Sequence, residues 1–448
     1  MIKSPSSFWV GIALLGITIS LRAESPHIYA ITKARIVSAA GPVIDAGTVV
    51  IRNGRIEALG ATVATPADAQ VIDGSGLTVY PGLIDMGRSD VLDVPAIAEP
   101  REFANREALD RWWRGVILRS DVQAPSYLKV DSPDLARLAA AGITSVLAAP
   151  GAGVIRGQSA FVNVMAREED PQIGDIAVPR RGQMVVKSPV ALHVAFNSSP
   201  GRLRAYPESL MGVIAFVRQS FLDAQYLAQQ QAFLEKSKGA IERPIDDPLL
   251  RAMQPAAAGR LPVAFEADQE REIRRVLAMS AELKLDPIIT GGREAGVLAS
   301  QIKSQNARVV FSVNYPVRPV ALAPDADETL QALTERADAP KTPAALEKGG
   351  VIFAFATAGL KEPGDLVKNV GKAVQAGLSE AAAVQALTIN AARIAGLSER
   401  LGSLESGKIA NVIVTSGGLF APGTTIKHVF IDGRLMAHPA PAPPAKTN

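Results

Sequence analysis

Two carboxylates stand two residues apart in Phe265-Glu266-Ala267-Asp268, inside a short apolar run that reads as a β-strand. Side chains at i and i+2 share one face of a strand, so Glu266 and Asp268 can act as a pair. Such a pair does acid–base chemistry when its surroundings raise one pKa and lower the other, or it holds a hard cation such as magnesium or calcium. Other reactive material is scarce. The 448 residues include no cysteine, which removes disulfides, thiolate metal sites and cysteine nucleophiles. Only four histidines occur, His27, His193, His428 and His438, too few for a pocket of several imidazoles. His193, within Ala191-Leu192-His193-Val194-Ala195, is either a base or a core histidine on an apolar strand. No nucleophile with an adjacent base is visible.

Three further features invite a function. Residues 151–159 form a glycine-rich segment whose backbone N–H groups could cradle an anion; a lone GxG is a weak nucleotide signal, and the segment reads as a turn. Trp112-Trp113, flanked by Arg111 and Arg114, is either a partner anchor or one face of an amphipathic helix with one tryptophan buried. The glutamine-rich stretch 225–231 reads as a solvated helix face.

The elements that must position these residues fall into three stretches. Short β-like runs at 28–36, 48–51, 55–59, 71–73 and 77–80 are separated by turn residues. Asn53-Gly54 between two of them is a hairpin cue, because both residues tolerate the positive φ of a type I′ turn. From Pro81 the rhythm changes: apolar runs at 83–84, 143–149, 191–196, 263–267, 287–290, 309–313 and 351–356 alternate with helical patterns at 132–141, 211–234, 270–284, 295–304 and 379–394. Ser132 is a candidate N-cap there, with Pro133 in the first turn. That alternation predicts an α/β fold with a parallel sheet covered on both faces, and its extent favours a closed (β/α)8 TIM barrel over an open sheet. The chain turns β-like again over 402–415 and 428–434. The economical arrangement is a barrel inserted in a small β-sandwich built from N- and C-terminal segments, with the first part of the sandwich over 24–80, the barrel over 81–398 and the second part over 399–437.

The two ends read differently. Lys3 followed by the uncharged, mostly apolar stretch 8–21 and a small residue at Ala23 predicts a signal peptide over 1–23. The apolar stretch is shorter than the ~20 residues of a membrane span. No later stretch reaches ~18 apolar residues, so no stable membrane span is expected in the mature chain, which would be soluble and secreted or periplasmic. Residues 438–448 read as a disordered Pro- and Ala-rich tail. A net charge of +3 with scattered basic residues excludes a nucleic-acid partner.

Several strings resemble the amidohydrolase superfamily, in order along the mature chain. Pro81-Gly82-Leu83-Ile84-Asp85 resembles its first barrel strand, and Ala386-Leu387-Thr388-Ile389-Asn390-Ala391-Ala392 its last barrel helix. The segment 402–414 resembles its return to the sandwich, with Asn411 where an aspartate is usual. Gly54-Arg55-Ile56 and the segment 429–434 fit its sandwich strands. The chain is most similar to imidazolonepropionase-like and prolidase-like secreted members. The resemblance implies hydrolysis of C–N and related bonds with one or two divalent metals at the mouth of the barrel. It also implies a ligand set: a His-x-His pair on the first strand, a lysine or glutamate near the fourth, histidines on the fifth and sixth, and an aspartate on the eighth.

Carried over position by position, that set is missing. Gly87 and Ser89, with Arg88 between them, stand where the two imidazoles belong. His193 stands where relatives can have lysine, and Ser198 where a glutamate can occur. Glu266 and Asp268 replace a histidine pattern, Gly291 is the counterpart of the sixth-strand histidine, and Ala358 replaces the aspartate. The expectation is therefore no metal and no other cofactor, with an Arg88–Glu266/Asp268 cluster in the former metal position. Against a hard cation on Glu266, Asp268 and Asp85 stands the charge of Arg88. Three functions follow: a pseudoenzyme that scaffolds or regulates an active amidohydrolase paralogue, a small-ligand binding protein using the barrel-mouth pocket, or a hydrolase of unusual or metal-free mechanism. The partner would be such a paralogue, a second copy of the chain, or a small molecule.

Overall fold

The computed structural model describes residues 27–436, apart from 131, 166–167, 171–173, 177–180, 197–204, 238–244, 324 and 361. The signal-peptide stretch 1–23, Ser198 and the tail 438–448 lie outside the described residues. Strands at the two ends of the chain make one sheet. They are β1 (Ile28–Ile36), β2 (Ile44–Arg52), β3 (Arg55–Gly60), β4 (Gln70–Asp73) and β5 (Thr78–Pro81) from the N-terminal side. Asn53 at φ 51° and Gly54 at φ 78° make the β2–β3 turn, as their residue types predict.

The barrel strands follow. β6 (Leu83–Arg88) and β7 (Ile143–Ala148) are parallel neighbours; β8 (Ile155–Gln158) and β9 (Ala160–Asn163) run almost without a break. A hairpin of β10 (Glu168–Asp170) and β11 (Gly174–Ile176) and the short β12 (Val185–Lys187) precede β13 (Leu192–Ala195). Then β14 (Val263–Ala267), β15 (Pro287–Gly291), β16 (Arg308–Ser312) and β17 (Phe353–Ala356) form a parallel ladder with β13. The chain returns to the end sheet as β18 (Val412–Thr415), β19 (Ile426–Ile431) and β20 (Arg434–Leu435). There β18 pairs antiparallel with β5, so the barrel is inserted between the two halves of the sandwich.

The barrel closes at two seams. At one, Ser159 donates its N–H to Ala191 and accepts from Val190. At the other, Thr357 at the end of β17 donates N–H and hydroxyl to the carboxylate of Asp85 on β6, at 3.0 and 2.6 Å. One stave departs from the all-parallel expectation. The β8–β9 stretch runs antiparallel to both β7 and β13, and it contains most of the segment read from its glycines as a turn. Only the loop before Ile155 fits that reading. Gly157, at φ 111°, presses so closely on Val122 that a Cβ would stand 2.7 Å from its carbonyl oxygen. The glycine is there for a close strand approach rather than for an anion.

Three other expectations meet their outcome here. Ser132 caps the helix Pro133–Ala140 by accepting from the N–H of Asp134. Trp113 packs against the core, while Trp112 donates to the carbonyl of Ala98 and meets Phe103 in a tilted ring contact; both lie on the amphipathic helix Arg106–Ile117. The glutamines of 225–231 are a solvated face only in part: Gln229 is exposed, but two others are engaged. Gln225 donates to the carbonyls of Ala257 and Leu283, and Gln231 accepts from Gln254.

A polar joint ties the two domains together. Asn411 donates to Asn163 at 2.9 Å and Ser145 at 3.0 Å on the barrel, and accepts from the N–H of Asp432 on the sandwich at 2.8 Å. All three side chains of this joint are buried, so each bond is made where water cannot replace it.

Candidate functional site

Alternation along the parallel strands builds the site in layers. Ala191, Ala264, Ile288, Val310 and Ala354 point inward from five consecutive strands and pack with Ile84 and Met86. Two residues further on, period 2 brings His193, Glu266, Thr290, Ser312 and Ala356 to the same inner face. These line a cavity of about 460 Å³ together with Gly87, Ser89, Arg156, Asp268, Gly291, Arg293, Asn314 and Ala358. The strand ends place it at the C-terminal mouth, where side chains of many strands converge.

Gly87, Ser89, His193, Glu266, Asp268, Gly291 and Ala358, named from sequence, all reach this one cavity. Arg88 does not. It is buried beside Asp85, 3.6 Å away, pairs with Asp90 and donates to Thr357. The expected Arg88–Glu266/Asp268 cluster is thus corrected: a register shift at the end of β6, between Asp85 and Arg88, turns Arg88 away from the mouth and into the seam. There it compensates Asp85, whose carboxyl burial pushes above its usual range although Thr357 and Arg88 oppose the shift.

Two other arginines take the expected place. Arg156 of β8 pairs with Glu266 at 2.5 Å, and Arg293, just beyond β15, pairs with Asp268 at 2.8 Å and Glu335 at 3.1 Å. Burial raises the Asp268 carboxyl pKa; the Arg293 charge opposes this, and Glu266 adds to it. Both guanidinium groups were within reach of sequence reasoning, since Arg156 sits in the glycine-rich segment and Arg293 directly follows Gly291-Gly292.

His193 is only 9% exposed, and its Nε2 has no hydrogen-bond partner among the described residues. Burial, with the nearby Arg156 charge, lowers its pKa to about 3. At neutral pH it is an uncharged imidazole on the cavity wall.

The glycines are held in place by what surrounds them. Gly291 has φ 94°, and a Cβ there would lie 2.5 Å from Asp268 Oδ1; a Cβ on Gly87 would lie 3.1 Å from that of Ala356. The space an imidazole would need at position 291 is taken by the Asp268 carboxylate that Arg293 binds.

As a metal site this arrangement does not fit. The walls offer one imidazole and two carboxylates already held by guanidinium groups, whereas zinc asks for three or four nitrogen, sulfur or oxygen donors around one point. Among the described residues no group of three or more His, Asp or Glu stands together as a cation site. Asp85, the third carboxylate of the hard-cation option, is turned into the seam.

Comparisons with known proteins agree on the fold. The model of the amidohydrolase family matches residues 197–436. An imidazolonepropionase of Aromatoleum aromaticum is 30% identical over 386 residues, which cover 82% of this chain and 84% of that protein. Among solved structures, an amidohydrolase from Thermotoga maritima superposes with a TM-score of 0.73 at 22% identity, covering 91% of this chain and 99% of the other. A prolidase solved with N-methylphosphonate-L-proline gives 0.53 at 17% identity, with coverage of 91% and 99%.

Proposed function

The chain belongs to the amidohydrolase family, and we propose that within it this protein is a hydrolytically silent member that scaffolds or regulates an active, histidine-complete paralogue. The observation that carries this reading is the Gly291–Asp268–Arg293 arrangement. The family's chemistry asks for an ion that activates water and polarises a carbonyl. Here an ion pair and a glycine that cannot gain a side chain without strain fill that region. The same pairs weaken the metal-free alternative, because Glu266 and Asp268 both face guanidinium groups instead of an open position. Export through the leader 1–23 is part of the proposal, supported by Lys3 and the apolar stretch after it. Among the described residues no helix is long and apolar enough to cross a membrane.

A second reading, a small-ligand binding protein, has one observation in its favour: the cavity persists, with the unpartnered Nε2 of His193 on its wall.

The test is to produce the chain with a histidine-complete amidohydrolase from the same organism, and to measure co-purification and the paralogue's turnover with and without it. A stable complex with a several-fold change in turnover is expected. No association, with turnover unchanged, would overturn the scaffolding role.

A further inference from the structure

The helix Leu210–Lys236, between β13 and β14, is apolar on both of its faces. Val213, Val217, Phe221, Ala224 and Leu227 are buried against the barrel. On the opposite side Met211 is 81% exposed, Leu222 41%, Tyr226 61% and Phe233 59%. At about 100° per residue these four side chains fall within roughly 60° of arc, as a stripe along some three-quarters of the helix. Ala215, Gln219 and Gln229 fill the gaps and are also exposed. Steps of four and three residues from 215 through 219, 222, 226 and 229 to 233 are those of a coiled-coil seam.

We propose that this stripe is an isologous dimer interface, on which the same helix of a second copy of the chain packs antiparallel. The sequence of the stripe is self-complementary about Leu222. Met211 and Phe233 each lie eleven residues from it, and Arg218 and Tyr226 each lie four. A two-fold axis at Leu222 therefore sets Met211 against Phe233 of the partner subunit, a sulfur–aromatic contact. It sets Arg218, whose guanidinium also pairs with Glu282, against Tyr226 of the partner subunit, a cation–π contact. Leu222 meets its own copy on the axis, as a self-complementary patch requires.

Composition and area agree with this occupant. From Leu210 to Leu234 the helix carries only two charges, Arg218 and Asp223, in keeping with the depletion of charge and enrichment of aromatics and Met at interface cores. With ~150–250 Å² for a large side chain, the four exposed residues offer on the order of 450 Å² per chain. A symmetric pair buries about twice that before any flanking contact, close to the ~1,000 Å² at which specific interfaces begin. The stripe lies on the outer helix layer, so this inference does not depend on the role of the mouth cavity.

The test uses the full chain. Sedimentation should show a dimer, and Leu222→Glu, which sets two carboxylates face to face on the axis, should weaken self-association by at least about 100-fold. Because Leu222 is partly exposed, the circular dichroism spectrum and melting profile of a monomeric variant should stay those of a folded chain. The natural chain has no cysteine, so Leu222→Cys carries the only thiol and should form a disulfide-linked dimer on mild oxidation. Val297→Cys, exposed elsewhere, should not. A wild-type monomer overturns the proposal, whether the stripe is bare or covered by the chain's own residues. So does a dimer indifferent to Leu222→Glu, equal cross-linking at both cysteines, or a stripe engaged only by a paralogue. Failure here with paralogue binding intact would leave the proposed function standing.

Discussion

A Cβ on Gly291 would stand 2.5 Å from Oδ1 of Asp268, the carboxylate whose other oxygen accepts from Arg293. The glycine and the ion pair require one another. A side chain at 291 would displace the carboxylate, and the left-handed backbone there, at φ 94°, strains any residue but glycine. A metal-binding side chain at position 291 is therefore opposed by the packing as well as by the residue type.

Gly291→Ala should lower stability by about 1–3 kcal/mol, from backbone strain and the displaced carboxylate. Urea denaturation measures it. A change within about 0.5 kcal/mol, the size of an ordinary surface substitution, would show that the arrangement relaxes freely.

His193 gives the protein a pH dependence of definite sign. Burial holds its folded pKa near 3, so between there and the ordinary value of 6.5 the unfolded chain binds a proton that the folded chain does not. Its contribution is complete above pH 6.5 and is lost as pH falls through that window, by at most about 1.4 kcal/mol per pH unit. His193→Gln should remove this slope. Parallel stability profiles for the two proteins from about pH 7 down to about pH 4 would contradict the neutral, buried imidazole.

Arg88 compensates a carboxylate that has no access to water. Arg88→Met should cost about 3–5 kcal/mol at neutral pH by leaving Asp85 uncompensated at the barrel seam. The folded-state pKa of Asp85 is already raised by burial, and loss of the guanidinium raises it further. A raised carboxyl pKa means stability lost as pH rises, so the variant's deficit should grow from acid to neutral pH. Thermal unfolding across that range checks it, and a deficit independent of pH would place the effect in packing alone.

Much of the architecture was legible because it rests on short-range patterns. The Asn53-Gly54 turn, the Ser132 cap and the short apolar runs each have a local cause. The antiparallel β8–β9 stave was not legible, because a glycine serving close strand approach at 157 looks like a glycine serving a turn. Seven of the eight mouth positions named from sequence line one cavity. Arg88 failed because a slip at the end of a strand decides which way a side chain faces: the β6–β7 register shifts between Asp85 and Arg88. The glutamine stretch was legible only in part: Gln229 is exposed as its polarity suggests, but Gln225 and Gln231 bond between helices while Tyr226 faces outward.

Asn411 tests the joint between sandwich and barrel. Asn411→Ala leaves Asn163 and Ser145 short of a donor and the N–H of Asp432 without its acceptor, so a loss of about 1–3 kcal/mol is expected. Calorimetry should then show a lowered melting temperature. An unchanged transition would mean that water replaces these bonds.

At the barrel mouth, arginine–carboxylate pairs stand where the family resemblance implies a metal. The most direct measurement is metal analysis of the purified full chain after incubation with zinc, paired with turnover on amide, dipeptide and cyclic-amide substrates. No stoichiometric zinc, and no turnover that a chelator abolishes, is expected. One zinc per chain, with chelator-sensitive hydrolysis, would contradict it.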